Sequence, residues 1–88
     1  MMRLSALRRG ASATVAHVDD VDADDLIAQR LRDLGFVPGE PVRVVAHGPW
    51  RADPILVQVG FTRFALRRRE ADRVHVTPDA AQGEAPQP

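Results

Sequence analysis

The chain contains no cysteine, which removes disulfides, thiolate nucleophiles and every thiolate-bound metal site at once. Lysine is absent too: the 12 basic residues are all arginine, and they face 12 acidic ones for a formal net charge of +0. A neutral molecule of this kind sets up no overall field that would gather nucleic acid. Uninterrupted apolar runs such as Ile55-Leu56-Val57 stop at three residues. A membrane-spanning helix and the hydrophobic stretch of a secretory signal are therefore both excluded from this sequence, and Arg8-Arg9 is not read as an export signal. Aromatic residues make up only 5%, too few to interleave with arginines as stacking platforms for bases. What is present, 44% hydrophobic and 27% charged residues over 88 positions, suits one small folded domain with a modest core. A catalytic domain with a separate substrate lobe does not fit in this length, and a reducing cytosol is compatible with the composition.

The coarse pattern along the chain alternates short strands with a single helix. Ala13 to Val18 reads as a strand after a turn at Arg9-Gly10. Asp22 is expected to cap a helix, with Asp24 and Asp25 in its positive first turn and Arg30 and Arg32 toward its negative end. Ala23, Ile27, Leu31 and Leu34 then fall on one helical stripe, and Gly35 supplies a left-handed stop. Phe36-Val37-Pro38-Gly39 has the composition of a turn. Strands are expected at Val42 to His47 and Ile55 to Val59, separated by a loop from Gly48 to Pro54. Gly60 then turns the chain into a strand containing Phe64 and Leu66, and Val74 with Val76 flank an outward-pointing His75 in the last one. The inventory, about five short strands and one helix, fits a mainly β protein, a small barrel closed over a helix. The expected core is Val15, Leu31, Leu34, Val44, Ile55, Val57, Leu66 and Val74. Residues 1–78 form the expected domain, and residues 79–88, which lack any large apolar side chain, are expected to be a disordered tail.

Few residues carry a chemical signature. The acidic run from His17 to Asp25 lacks the glycine and glutamate that a calcium loop starting at Asp20 requires at Asp25 and Leu31, and is read as a strand-to-helix connection with a cap. His17, His47 and His75 occur at no local ligand spacing. Convergence in space with Asp19 or Asp53 is the one route to a metal site, and surface histidines with no bound metal are expected instead. No nucleophile-base motif and no phosphate-binding glycine loop is present, so neither catalytic residues nor a cofactor site is assigned and the chain is read as a binding module, not an enzyme. Arg63, Arg67, Arg68, Arg69 and Arg73 make a basic patch, interrupted by Glu70 and Asp72, that is read as a solvated or partner-binding face. Trp50 in its Pro- and Gly-rich surroundings either plugs a barrel end or anchors a partner. A partner surface is placed on Trp50, Arg51 and Asp53 together with Arg67 and Arg68, because tryptophan and arginine supply contact area and forked donors.

Four pieces occur in order: Leu4-x-x-Leu7-x-x-Gly10 before a Val-rich strand, Arg30-Leu31-x-Asp33-Leu34-Gly35-Phe36-x-Pro38-Gly39, Asp53-Pro54-Ile55, and Ala65-Leu66-Arg67-x-x-Glu70-Ala71-x-x-Val74-x-Val76. Together they resemble the FeoA family, from Leu4 to Val76. Arg30, Leu31, Leu34, Gly35, Pro38, Gly39 and Pro54 are the structural positions of that motif. The resemblance implies an SH3-like barrel, found also in metal-dependent repressors of the diphtheria-toxin-repressor type, and a cytoplasmic accessory protein of ferrous-iron uptake. Its implied partner is the cytosolic part of the FeoB membrane transporter, with no nucleic acid and no insertion of this chain in the membrane. An SH3-like module tied to metal-dependent transcriptional regulation or nucleic-acid binding is the alternative. Gly48-Pro49-Trp50-Arg51-Ala52 departs from the family's usual Leu-Gly type of loop before Asp-Pro.

Overall fold

In a computed structural model, residues 1–21, 24–50 and 53–79 are described, without the side chain of Trp50. Six strands form one antiparallel sheet: β1 (Met2–Arg3), β2 (Ser12–Val18), β3 (Pro41–Trp50), β4 (Asp53–Val59), β5 (Thr62–Leu66) and β6 (Val74–Pro78). Their spatial order is β1-β6-β2-β3-β4-β5. The sheet curls in the manner of a barrel, but β1 and β5 stand at its two ends and do not pair, so it is not closed. One helix, α1 (Leu26–Leu34), follows β2, and a second of one turn, α2 (Arg68–Ala71), joins β5 to β6.

The count exceeds the expected five strands because Met2–Arg3, too short to show a period, pairs with Val76 and His75. The loop expected from Gly48 to Pro54 is mostly strand: β3 runs to Trp50, β4 starts at Asp53, and those two residues face each other. Pro49 is tolerated because the ladder shifts register between His47 and Trp50, so the missing N–H breaks no regular bond. Gly48 is required there. A Cβ at this position would lie 2.6 Å from the carbonyl oxygen of Pro54 and 2.7 Å from that of Asp53. The Asp53-Pro54 peptide bond that it faces is cis.

Helix α1 starts later than expected. Asp25, not Asp22, is its N-cap, and its Oδ1 accepts from the Ala28 N–H at 3.1 Å; Asp22 and Ala23 lie outside the described residues. The carboxylate one turn nearer the apolar run wins because Arg73, in the turn just before β6, pairs with it. The helix buries Ala28 and Leu31, with Ile27 and Leu34 only partly covered at the flanks. It ends as its composition demands, with Gly35 at φ +115° and the Phe36 N–H bonded to the Leu31 carbonyl at 3.0 Å, a glycine-terminated Schellman pattern. That turn points Phe36 inward, where it is fully buried and among the largest core side chains. The turn composition of residues 36–39 gave no hint of this. Gly39, at φ +91°, donates to the Val15 carbonyl at 2.8 Å and ties the turn back to β2.

The core otherwise follows the strand period. Val15, Val44, Ile55, Val57, Leu66 and Val74 are all at most 2% exposed, as is Leu31, while Leu34 sits at the core's edge. Leu4, Leu7, Val42, Val59, Ala71 and Val76 are among its other buried members. Of the expected tail only Asp79 is described, and its N–H bonds the Ser12 carbonyl at 3.1 Å.

Candidate functional site

Strand β2 contains one residue more than β6 needs. Val15 faces Val76, His17 faces His75 and Val18 faces Val74, so Ala16 is an extra residue in a β-bulge. Strict alternation would put His17 on the same side as Val15. The bulge flips the phase, so that Val15 and Val18 both point into the core and His17 stands on the outer face directly opposite His75.

The two imidazoles stack, with centroids 4.5 Å apart and planes inclined by 12°. Just past the strand, Asp19 turns back over them. Its Oδ2 lies 2.6 Å from His75 Nε2 and its Oδ1 lies 3.3 Å from His17 Nε2. One carboxylate therefore serves both rings. The hydrogen bond from His75, aided by the charges of His75 and His17, holds the Asp19 carboxyl below its usual value of 3.8. The outward direction expected for His75 is observed, but Asp19 and His17 cover it, and its side chain is only 20% exposed.

Arg73 fixes Asp19 in place. The Asp19 N–H donates to the Arg73 carbonyl at 2.8 Å, and the Arg73 guanidinium donates to the Asp19 carbonyl at 3.2 Å. The same guanidinium pairs with Asp25, whose Oδ2 also accepts from the Val21 N–H at 2.8 Å. The N–H groups of Val21 and Ala28, together with Arg73, lower the Asp25 carboxyl to about 2. Arg32 closes the other side, bonding the Val18 carbonyl at 3.1 Å and pairing with Asp20. The acidic connection is thus pinned to the body by two arginines. No local pattern announces this, because Asp25 and Arg73 are 48 residues apart in sequence.

A second cluster gathers at the start of β4 and around α2. Asp53 Oδ1 accepts from the Arg68 N–H at 3.1 Å and lies 3.9 Å from the Arg67 guanidinium. Asp53, Arg67, Arg68, Arg69 and Asp72 line one shallow depression. The sequence placed Asp53, Arg67 and Arg68 on one surface, and the fold brings them together. Arg51 and the Trp50 side chain, the remaining members of that surface, lie outside the described residues. Helix α2 is held by Glu70, which accepts from the Arg67 N–H at 2.8 Å and pairs with Arg30 of α1. His47 belongs to neither cluster, since its Nε2 lies 3.3 Å from the Leu7 carbonyl. At the β4–β5 turn the side chain of Phe61 is wholly exposed.

Chemically, His17, Asp19 and His75 offer two imidazole nitrogens and a carboxylate, the donor types that hold divalent transition metals. Asp53, Arg67 and Arg68 offer a mixed-charge surface suited to a protein partner. None of these groups forms a nucleophile-base pair of the kind that acyl or phosphoryl transfer needs.

The model of the FeoA domain matches residues 2–78, a span that runs from β1 to the end of β6. A crystal structure of Stenotrophomonas maltophilia FeoA complexed with zinc, described as a procaryotic SH3 domain protein, is 60% identical. It superposes with a TM-score of 0.80 over 93% of this chain and 94% of that one. A manganese-dependent transcriptional repressor is 26% identical, with a TM-score of 0.73 over 86% of this chain and 40% of that one. The Fe(2+) transport protein A/Fe(2+) transporter FeoB fusion protein of Porphyromonas gingivalis (strain ATCC BAA-308 / W83) is 32% identical over 75 residues. That match takes in 85% of this chain and only 8% of the fusion protein. With the curled SH3-like sheet, the glycine-capped helix and a family match that spans every strand, this chain belongs to the FeoA family.

Proposed function

We propose that this chain is an accessory binding module of ferrous-iron uptake that docks, on the cytosolic side, on a FeoB-type membrane transporter and regulates or assembles it. The observation that carries this reading is the fusion in Porphyromonas gingivalis, where a segment similar to this chain shares one polypeptide with FeoB. Joining two modules converts their encounter into an intramolecular one at high effective concentration. A fusion of this kind holds the two parts at one-to-one stoichiometry, which suits parts that act on each other. As a separate chain, the module instead needs a surface with its own affinity.

Asp53, Arg67 and Arg68 supply that surface in this proposal. The Arg67 side chain is 63% exposed and its ion pair with Asp53 is long, at 3.9 Å, so its guanidinium is available to a carboxylate of the partner. Regulation then follows from differential affinity: a module that binds one transporter state more tightly shifts the transporter toward it, and equal affinity shifts nothing. The test is affinity capture of the tagged chain from membranes of its own cell under gentle solubilisation. A FeoB-type transporter as the main co-purifying membrane protein supports the reading. Its absence while another protein is enriched overturns it.

A further inference from the structure

We propose that His17, Asp19 and His75 form a binding site for one divalent transition-metal ion on the outer face of the β2–β6 pair. The proposal is independent of transporter docking and rests on how the fold assembles the three side chains.

The donor set is complete for an open site. Two imidazole Nε2 atoms and one carboxylate converge, and the candidate ligand atoms of the three residues all lie within 4.8 Å of one another. An ion bound at about 2.0 to 2.2 Å from each needs donors roughly 3.4 Å apart for tetrahedral angles. The His75–Asp19 pair at 2.6 Å has to open slightly and the widest pair to close. His17 and Asp19 can make that adjustment because their side chains are 50% and 44% exposed, and rotation there disturbs no core contact. Three protein ligands leave at least one coordination position on the solvent side for water or an incoming ligand.

The local fold serves this arrangement in two ways that a plain strand pair does not need. The Ala16 bulge puts His17 across from His75; without it the register would turn one of the two toward the core. Bulges recur where a strand must re-aim a side chain at a functional position. Arg73 then holds the backbone of Asp19 from both sides, through its carbonyl at 2.8 Å and its guanidinium at 3.2 Å. Ligand orientation fixed from behind in this way is a regular property of metal sites. The nitrogen and oxygen donors suit zinc, cobalt or ferrous iron and not calcium or magnesium, which take oxygen ligands.

The experiment uses the full chain, purified free of metal. Zinc is titrated calorimetrically, and cobalt is added as a spectroscopic probe of the ligand field. His17→Ala and Asp19→Asn are compared with His47→Ala, and the metal-free melting temperature of each variant is recorded. His17 and Asp19 are surface residues, so both variants are expected to fold. The proposal expects saturable zinc binding, at least about tenfold weaker in both site variants, with His47→Ala unchanged. It also expects a cobalt visible spectrum that the site variants abolish. It is overturned if the wild type shows no saturable binding at sub-millimolar zinc, if His17→Ala and Asp19→Asn bind as the wild type does, or if His47→Ala weakens binding equally.

Discussion

Replacing Leu31 and, separately, Leu34 with alanine asks which side of α1 faces the sheet. Both residues lie on the apolar stripe, yet Leu31 is 0% exposed and Leu34 is only partly buried. The truncation removes about three methylene equivalents at about 0.8 kcal/mol each. The space left behind adds about 24 cal/mol per Å³ where neighbours cannot close in. Leu31 lies under a sheet whose hydrogen-bonded strands cannot collapse into the space, so its cost should fall at about 3 to 4 kcal/mol. A domain of this size has a total stability of about 4 to 12 kcal/mol, so the variant should lose a large share of it. At about 4 to 8 °C per kcal/mol the melting temperature should drop by roughly 12 to 30 °C. Leu34 already touches water and can relax outward, so its truncation should cost less than half as much. Urea denaturation followed by circular dichroism, with m-values compared to confirm two-state behaviour, measures both. Equal losses, or a larger loss at Leu34, would mean that α1 is rotated on the sheet and would refute this packing.

Gly48→Ala should destabilise by about 1 to 3 kcal/mol, because the new methyl has to push back the Asp53 and Pro54 backbone; a melting temperature equal to wild type would disprove that close approach. Gly39→Ala meets no neighbouring atom within 4 Å, so its cost should be limited to the left-handed backbone, about 1 to 2 kcal/mol. The Asp25 carboxyl is lowered from 3.8 to about 2 in the folded state, and a depressed folded value means that its stabilisation is complete above the unfolded value and is lost as pH falls through the folded one. The melting-temperature gap between wild type and Asp25→Asn should therefore be constant near neutrality and shrink below about pH 4; a gap independent of pH down to about 2 would contradict it.

Much of the fold could be read from local chemistry because local chemistry sets it. The period-two valines of β4 and β6 are buried as expected, and Gly35 and Gly39 adopt the positive φ that their turns demand. The misses share a cause in contacts distant along the chain. Asp22 was expected to cap α1, and Arg73, in the turn before β6, selects Asp25 instead. Phe36 looked like a turn residue because the Schellman bond that aims it inward is invisible in composition. Helix α2 carries half of a capping signature, Glu70 three residues after Arg67, but lacks the short polar side chain that would complete it. The histidine cluster was hidden by the Ala16 bulge, since the spacing of Val15, His17 and Val18 fits no unbroken alternation. The surface of Asp53, Arg67 and Arg68 was placed from residue type, and the turn after β5 brings it together.

The claim that this chain is a docking module is tested most directly by calorimetric titration of the cytosolic domain of a FeoB-type transporter with the wild type and with Arg67→Glu, in each nucleotide state of that domain. Docking through the proposed surface predicts saturable binding by the wild type. It predicts a dissociation constant raised by at least about tenfold in the variant, about 1.4 kcal/mol, with the melting temperature unchanged because that side chain supports nothing in the core. No binding of the wild type in any nucleotide state would contradict the claim, and Arg67→Glu binding as the wild type does would remove this surface from it.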